Sequence, residues 1–545
     1  MSTDDKRGVR LMVWGNPIFC ARYIPFISLF LVLLLIVWGW IIRQSVPTVP
    51  LADPDSWGYL YPALSWVGGA GFVQADGRGF LYPAILAIIL KCGAGFSAIT
   101  FCQQFLGLSG AIVIWIIFSR WLSLFDAESM HVRIFGYCLI TLAIALYVLS
   151  PSAIIYERFI RPESMMIFFI LCYFLLLVSY FIERWQRERL VPAVCYGGGA
   201  LICSYFVCLL KPSWDLAFLA SFLPLLVGLI GRGKRMIRFA PLALGLMGVV
   251  LLTLTPGLLK FKTSPQQSIY LPYTLVSIHA EQIVESEKKR FATATPEELQ
   301  FILALEKALI EARKNPKHFE TLGYQADDIM YRSGVFIGTK YNPEWDNKKF
   351  LPFCYALYAK AWIGAPGLML KKVGRQLTLF LFPSKSDYYY SNREKQLTSN
   401  YQHSLDSLQS RNFRPPDSTL PAYTRYLEDL HTAIAGNYTL RFPRVMIFFG
   451  TGVAYLSLAI QIVFLITLAL NFKNLSISSK LAGLYLLSLL FCMYAYIGEI
   501  AIVHVLDNTR YRTTFTAFFI PLLAITLTFT IAVILPRIFP SRIRK

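Results

Sequence analysis

Long apolar runs, separated by shorter polar stretches, are the dominant pattern along this chain. Ten of them are about 20 residues long, which is enough for a helix to cross the ~30 Å hydrocarbon core of a bilayer. These predicted spans lie at residues 24–42, 96–118, 131–150, 164–182, 191–210, 214–231, 239–256, 445–471, 481–504 and 513–535. The pattern predicts an all-α polytopic membrane protein.

One shorter run decides the predicted topology. Residues 81–90 are apolar, but this run is only ten residues long before Lys91. It is too short for a span and is typical of a segment that lies in the membrane interface. Leaving it out gives ten spans and places both termini on the same side of the membrane.

The distribution of Lys and Arg then orients the chain. Nineteen of these residues fall on the side of the termini, and eight fall in the short loops opposite. Because basic residues accumulate on the cytoplasmic side, both termini are predicted to be cytoplasmic. The sequence thus divides into an N-terminal transmembrane module at 1–256 with an outward loop at 43–95, an extracytoplasmic segment at 257–444, and a C-terminal transmembrane module at 445–545.

The extracytoplasmic segment has helical signals of its own. Thr295, Pro296 and Glu298 form a capping box with proline at the first helical position, which predicts a helix through about Lys314. Residues 351–381 mix apolar side chains with cations, which favours a helix in the interface. The polar stretch from Tyr388 to about Arg414 is predicted to be a loop.

Composition narrows the classes of protein. Of 545 residues 56% are hydrophobic and 15% charged, against about 25% charged in a soluble domain. This excludes a soluble enzyme, a disordered tail and a disulfide-rich secreted domain. The net charge of +20 is attributed to cytoplasmic loops beside anionic lipid rather than to nucleic-acid binding. Ten cysteines without zinc-ligand spacing predict neither a zinc site nor a disulfide framework.

Charged residues cluster at the outward ends of the spans, where each needs a partner or a function. Two alternatives are structural: Asp53 or Asp55 could cap a helix that starts near Ser56, and the arginines could be snorkelling anchors. Glu499, inside the ninth span, either pairs with a neighbouring helix or lines a cavity. The outward residues are Asp53, Asp55, Arg78, Glu157, Arg158, Arg161, Glu163, Lys211, His504, Asp507, Arg510, Tyr511 and Arg512.

The order of several short motifs resembles that of GT-C glycosyltransferases, nearest to the protein O-mannosyltransferases and the aminoarabinose lipid A transferases. The motifs are Pro54-Asp55-Ser56-Trp57-Gly58-Tyr59, Phe80-Leu81-Tyr82-Pro83, Arg161-Pro162-Glu163, Lys211-Pro212 and Arg510-Tyr511-Arg512. Relatives often have a second acid where this chain has Ser56. Whether Asp53 or Glu163 substitutes for it stays open.

The resemblance implies a GT-C fold with about ten transmembrane helices, interfacial helices and a mostly helical extracytoplasmic segment. It also implies sugar transfer, with inversion, from a dolichyl- or undecaprenyl-phosphate donor to a glycan, lipid or protein hydroxyl at the periplasmic face of a bacterial inner membrane. Asp55 is the first candidate for the base and Asp53 the second. The cations expected to hold the donor phosphate are Arg161, Lys211, Arg510 and Arg78, and the supporting residues are Glu163, Tyr59, Tyr82, Tyr511 and Asp507.

Such a site can work without a metal because its cations supply the positive charge. Two outward carboxylates nevertheless leave a divalent cation, Mg or Mn, open. The expected partners are the lipid-linked donor, the acceptor and membrane lipid, with no nucleic acid. The alternative functions are a transporter, flippase or polymerase-like protein for lipid-linked glycans, and a non-catalytic scaffold or receptor.

Overall fold

The computed structural model describes most of the chain, and every statement below concerns those residues. They are 17–72, 79–93, 95–125, 129–226, 241, 243–251, 267–289, 294–314, 322–332, 335, 347–381, 397–409, 415–436, 438–440, 444–503 and 508–538. This part of the chain is helical apart from its connections and one isolated β-bridge between Leu51 and Phe159. The all-α class predicted from the apolar runs is therefore correct.

The helices are numbered in chain order. They are α1 Pro17–Gln44, α2 Trp57–Val67, α3 Leu81–Lys91, α4 Ser97–Phe125, α5 Met130–Val148, α6 Pro151–Tyr156, α7 Glu163–Phe181, α8 Leu190–Leu210, α9 Asp215–Ala220, α10 Phe222–Leu226, α11 Gln267–Ile278, α12 Ala280–Lys288, α13 Pro296–Arg313, α14 Asn347–Gly364, α15 Pro366–Leu381, α16 Leu397–Gln409, α17 Leu420–Ala435, α18 Arg444–Asn471, α19 Ile477–Val503 and α20 Asn508–Ile538.

Seven helices within the described residues are long and apolar enough to cross a membrane, so the protein is a multi-pass membrane protein. They correspond to seven of the ten predicted spans: α1, α4, α5, α7 with the π-helical turn Ile182–Gln186, α8, α18 and α19. The length and apolar composition that allow these helices to cross a membrane come directly from the apolar runs in the sequence.

The other three predicted spans are described less completely. The run at 214–231 forms the short helices α9 and α10 up to Leu226, and its remaining residues lie outside the described part. The run at 239–256 is helical at 243–251, and 252–256 lie outside it as well. The run at 513–535 lies within α20, whose apolar stretch is Phe518–Ile534.

The helix predicted after residue 295 forms with its capping box. Thr295 accepts a hydrogen bond from the Glu298 backbone at 3.2 Å, and the Glu298 carboxylate accepts one from the Thr295 backbone at 3.1 Å. This helix, α13, packs with α11, α12 and α14 around a hydrophobic core separate from that of the spans, with Ile283, Leu305 and Phe350 at its centre.

Two predictions in the segment 257–444 are corrected. Residues 351–381 are not one helix: α14 ends at Gly364 and α15 starts at Pro366, because proline disfavours helical geometry in the residue before it and suits a helix start. The predicted loop up to Arg414 contains the helix α16. Its buried Leu397, Tyr401 and Leu408 have helical spacing and join the core of the spans.

Helices α16 and α17 hold the loop that follows α1. Tyr401 donates a hydrogen bond to the carbonyl of Pro47 at 3.0 Å, and Tyr426 donates to that of Pro50 at 2.9 Å. The backbone N–H of Ala52 donates to Ser404 at 3.0 Å. Residues far apart in sequence thereby fix the start of the loop through its own backbone groups.

The same loop is paired with the turn before α7. Leu51 donates to the carbonyl of Arg158 at 2.7 Å and accepts from the N–H of Ile160 at 2.9 Å. The side-chain amide of Gln103, at the start of α4, donates to the carbonyls of Glu157 and Phe159, both at 2.9 Å. We call the end of the bundle where these segments meet the loop end.

A buried ion pair ties α1 to that turn. Two nitrogens of Arg43 donate to the two carboxylate oxygens of Glu157, at 2.6 and 2.8 Å, and the third donates to the carbonyls of Gly39 and Val148. Gly107 of α4 leaves room for the carboxylate, since a Cβ there would lie 2.2 Å from Glu157 Oε1. Three helices thus depend on one charge pair.

Breaking this pair from one side should destabilise the protein more than removing it altogether. Glu157→Met leaves Arg43 buried without its carboxylate, and we expect the free energy of unfolding to fall by about 3–5 kcal/mol. Arg43→Met combined with Glu157→Met should recover most of that loss. Unfolding in detergent micelles measures both, and a double variant less stable than Glu157→Met would contradict this account.

A second contact links the segment around α15 to the end of span α19. Lys372 donates to the carbonyls of Ala501 at 2.8 Å and Ile502 at 3.3 Å, and Tyr358 donates to Ile502 at 3.2 Å. His279 packs edge-on against Tyr358. Burial lowers the pKa of Lys372 to about 7 and also lowers the pKa of His279, helped by the nearby Lys372 charge.

This buried lysine should make stability depend on pH. Its pKa of about 7 lies below the ~10.4 of an unfolded lysine, so between these values the unfolded chain binds more protons and stability rises with pH. Relative to Lys372→Met, the wild-type free energy of unfolding should increase from pH 7.5 to 10 by at most about 1.4 kcal/mol per pH unit.

The measurement is a pair of unfolding curves at each pH, and the variant cancels groups common to both proteins. His279 does not interfere, because above pH 7.5 it is neutral whether folded or unfolded. A stability difference that stays constant over this range would show that Lys372 does not change its protonation on folding.

Candidate functional site

Helix ends bring the predicted site residues to the loop end of the bundle. α8 ends there next to the start of α7, where Lys211 meets Glu163. The first residues of α20 lie against the same point, since the ring of Tyr511 covers Lys211. The loop before α2 completes the cluster through Asp53 and Asp55. Four separate parts of the chain therefore contribute charged or aromatic side chains to one region.

Asp53 is buried and uses both carboxylate oxygens. Oδ1 accepts from the backbone N–H groups of Asp55 and Ser56, each at 3.0 Å, and from the Ser56 hydroxyl at 3.1 Å. Oδ2 accepts from Nε of Arg161. This carboxylate closes the turn that leads into α2, whose N-cap position is Ser56.

Arg161 lies between the two aspartates. Its Nε pairs with Asp53, and its Nη2 is 3.4 Å from Asp55 Oδ2. The guanidinium is buried, so Arg161 is not a snorkelling anchor. This positions one cation against two carboxylates at the point where the turn enters α7.

Asp55 differs from Asp53 in its exposure. Its side chain keeps 31% of its surface accessible, whereas that of Asp53 keeps 1%. Its backbone is fixed from both sides, because its N–H donates to Asp53 and its carbonyl accepts from Gly58 at 3.1 Å. A rigidly held carboxylate with an accessible surface is suited to accept a proton from a bound hydroxyl.

Glu163 and Lys211 form the second charge pair. The Lys211 ammonium is 2.7 Å from Glu163 Oε1 and 3.9 Å from the centre of the Tyr511 ring. Burial lowers the pKa of Lys211, but the Glu163 carboxylate together with Tyr511, Tyr496 and Tyr59 outweighs this effect, so the pKa lies above its ordinary value. Lys211 is therefore a permanent cation, stabilised by a carboxylate and a ring face.

Tyr59 and Tyr82 fill the space between the two charge pairs. Their rings meet edge to face with centroids 5.1 Å apart. Burial, followed by Tyr59 and Glu163, raises the pKa of Tyr82 well above its ordinary value, so its phenol stays protonated and donates to Gln103 at 2.9 Å. Gly79 packs directly on the end of α8, since a Cβ there would lie 2.5 Å from the Leu209 carbonyl.

The side chains of three predicted site residues, Arg78, Asp507 and Arg510, cannot be placed. Arg78 and Asp507 lie outside the described residues. Arg510 is in the first turn of α20, but its side chain is outside the described part. Their predicted roles rest on the sequence alone.

The sequence analysis missed Gln103 and Arg43, which position the site from the outside. The side chain of Gln103 donates to two carbonyls of the turn before α7 and accepts from Tyr82. Arg43 holds Glu157 in the same turn. The signal was present, because an amide within an apolar run, like a cation at the end of one, needs a partner. Arg158 is also buried, and donates to the carbonyl of Arg43 at 2.6 Å.

Glu499 pairs with a neighbouring helix, which was one of its two predicted alternatives. Its Oε2 accepts from the backbone N–H of Leu216 at 2.8 Å, an N–H that the first turn of α9 cannot satisfy itself. Glu499 thus fixes the start of α9, four residues after Lys211.

The residues do not fit a divalent cation between Asp53 and Asp55. A guanidinium already lies between the two carboxylates, and Mg or Mn would have to displace it to reach both oxygens. Within the described residues there is no group of three or more His, Cys, Asp or Glu that could hold a metal ion.

No family model matches the chain, and no curated protein matches it. Among solved structures it is similar to the archaeal oligosaccharyltransferase AglB from Archaeoglobus fulgidus, solved in complex with an inhibitory peptide and a dolichol-phosphate. The match covers 95% of this chain and 52% of AglB, at 9% identity and a TM-score of 0.41. The chain spans about half the length of that protein.

Proposed function

We propose that this chain is a GT-C type glycosyltransferase that moves a sugar from a polyprenyl-phosphate donor to an acceptor hydroxyl at the loop end of the bundle. The observation that carries the proposal is the pairing of Asp53 and Asp55 with Arg161, two residues from the Glu163–Lys211 pair. A carboxylate base and a permanent cation lie together where helix ends leave the membrane-spanning bundle. The motif order in the sequence supports the same function.

Lys211 is the proposed partner of the donor phosphate. Its ammonium has three N–H bonds, and the contact with Glu163 uses one of them. Negative charge grows on the phosphate as the bond to the sugar breaks, and a cation fixed in a buried site stabilises that charge strongly. Arg161 is committed to two carboxylates, so we assign it to holding the base rather than to the phosphate. Arg510 and Arg78 keep their proposed phosphate roles from the sequence.

Asp55 is the proposed base and Asp53 its anchor. The acceptor oxygen forms a bond to the anomeric carbon while the bond from that carbon to the phosphate oxygen breaks. The bonding pair leaves with the polyprenyl phosphate, and the acceptor proton passes to Asp55. The displacement is direct, so the anomeric configuration inverts. Tyr59, Tyr82 and Tyr511 pack around the charges and exclude water.

The membrane supplies the donor. A polyprenyl tail stays among the spans while its phosphate reaches the loop end, so the reacting carbon lies at the membrane boundary. The Lys and Arg count of the sequence supports an extracytoplasmic loop end in a bacterial inner membrane, with both termini cytoplasmic. The acceptor class is a glycan, a lipid or a protein.

Asp55→Asn should abolish transfer and leave the protein folded and inserted. Removing a general base costs about 10²–10⁴-fold in rate. Mass spectrometry of envelope lipids and glycans, from cells with and without the protein and with this variant, identifies the product and measures its loss. Asp406→Asn, a surface carboxylate on α16 that bonds Gln402, is the matched control and should retain activity.

Full activity of Asp55→Asn would remove the assigned base. A glycolipid that moves between leaflets in vesicles without any covalent product would instead favour the transporter or flippase alternative. Unchanged behaviour of every variant at Asp55 and Lys211 would favour a scaffold or receptor.

Lys211→Met should lower the rate of transfer by about 10²–10³-fold, because the leaving phosphate loses its fixed cation. The single variant also leaves Glu163 buried without a partner, which costs stability. Lys211→Met combined with Glu163→Gln removes that charge and should restore folding without restoring activity. Sugar transfer and thermal stability are measured on the same preparations, and an active double variant would exclude Lys211 from the chemistry.

A further inference from the structure

The last turn of span α19 is capped by side chains from α14 and α15. The last four carbonyls of a helix have no partner within the helix. In α19 the carbonyls of Ala501 and Ile502 accept from Lys372 at 2.8 and 3.3 Å, and Tyr358 donates to Ile502 as well, at 3.2 Å. Lys372 is buried, and the helix dipole stabilises a cation at this end. The end of α19 is therefore fixed from outside the bundle.

The same helix holds the turn that follows Lys211, less than two helical turns before its capped end. Tyr496 and Glu499 are three residues apart on α19 and therefore share a face. The ring of Tyr496 packs on that of Trp214 with centroids 5.4 Å apart, and Glu499 accepts from the backbone N–H of Leu216 at 2.8 Å. A single 3₁₀ turn joins Lys211 to α9. Two contacts with α19 thus fix this turn, which we call the Lys211 turn.

The Lys211 turn determines where the ammonium lies. Lys211 is the first residue after α8 and has extended backbone angles, φ −156° and ψ 121°, so its direction is not set by the helix. Its side chain meets Glu163 and the ring of Tyr511. Tyr511 belongs to α20, which is joined to the capped end of α19 by four residues. Both the contacts of α19 and the start of the next helix therefore act on Lys211.

We infer that Lys372 is a positioning residue for Lys211, because it holds α19 at the axial position at which that helix fixes the Lys211 turn. This inference rests on the proposed function, in which Lys211 binds the donor phosphate. A misplacement of about 1 Å, even by a change far from the chemistry, can lower a rate by about 10²-fold. Lys372 contacts backbone carbonyls rather than Lys211, so it acts through α19.

A purely structural role is the alternative, in which the cap stabilises the junction of α15 with α19 and nothing further. Two matched controls separate the two roles. Lys371 precedes Lys372 on α15, but its side chain is exposed. Tyr324 donates to the carbonyls of Ser277 and Ile278, at 3.1 and 2.6 Å, in the separate core of α11 to α14. Tyr324→Phe therefore weakens that core and leaves the cap of α19 intact.

Hydrogen–deuterium exchange with mass spectrometry tests the coupling without requiring turnover. The full-length protein is placed in phospholipid nanodiscs, and the reporter is the peptide that contains the N–H of Leu216. Lys372→Met should speed exchange there by about fivefold to tenfold, because the lost hydrogen bonds loosen α19. Lys372→Arg has N–H groups for both carbonyls and should restore slow exchange. Lys371→Met and Tyr324→Phe should leave the reporter peptide unchanged.

Tyr358→Phe tests the same coupling if Lys372→Met does not fold. It removes one hydrogen bond to Ile502 and keeps Lys372, so exchange at Leu216 should rise by about twofold to fivefold. The inference is overturned by an unchanged reporter peptide in folded Lys372→Met, or in Tyr358→Phe where Lys372→Met does not fold. It is also overturned if Tyr324→Phe speeds exchange equally, or if Lys372→Arg exchanges as fast as Lys372→Met.

Sugar transfer, measured on the same preparations, separates this inference from the proposed function. If Lys211→Met loses the product and Lys372→Met forms it at the wild-type rate, the function stands and the positioning role is wrong. If Lys372→Met speeds exchange at Leu216 and no glycosylated product depends on Lys211, the coupling stands and the proposed function is wrong. Both are supported if Lys372→Met lowers the rate by about tenfold or more, Lys372→Arg recovers it and Lys371→Met retains it.

Discussion

The need to pair buried charge determines the architecture of the loop end. An ion removed from water costs several kcal/mol unless a partner compensates for it, and this chain buries Arg43, Arg161 and Lys211 at helix ends. Each meets a carboxylate from another part of the chain: Glu157, Asp53 and Glu163. The pairs act as cross-links, since none can form until the helices and turns that carry them are in register.

Local differences within this network give similar residues different chemistry. Asp53 and Asp55 are two residues apart and both contact Arg161. The carboxylate oxygens of Asp53 accept hydrogen bonds from the turn and from the Arg161 guanidinium. These bonds fix the position of Asp55, whose side chain keeps an accessible surface. The more buried carboxylate thus serves the structure, and the more exposed one is suited to reaction. The two cations differ in their partners instead: Arg161 contacts two carboxylates, whereas Lys211 contacts one carboxylate and the ring of Tyr511.

Much of the fold could be predicted because it depends on residues that are close together in the sequence. The length of the apolar segments, the shortness of residues 81–90 and the capping box at Thr295 each depend on neighbours in sequence, and the corresponding helices form. The prediction of a loop at α16 was wrong because its buried leucines and Tyr401 are diluted by polar residues. The helix is stabilised by the loop from Pro47 to Ala52, against which it packs and which is far away in the sequence.

The candidate site shows where prediction from sequence ends. That Asp53, Asp55, Arg161, Glu163 and Lys211 need partners follows from their residue types at span ends, since charge beside hydrocarbon is costly. Which carboxylate pairs with which cation does not follow, because the partners are separated by up to 108 residues and meet through helix packing. Sequence alone therefore determined that this is a helical membrane protein with charged residues at the ends of its spans. Only the tertiary structure decided that Arg161 holds the aspartates and that Lys211 belongs to Glu163, because both choices depend on distances between different helices.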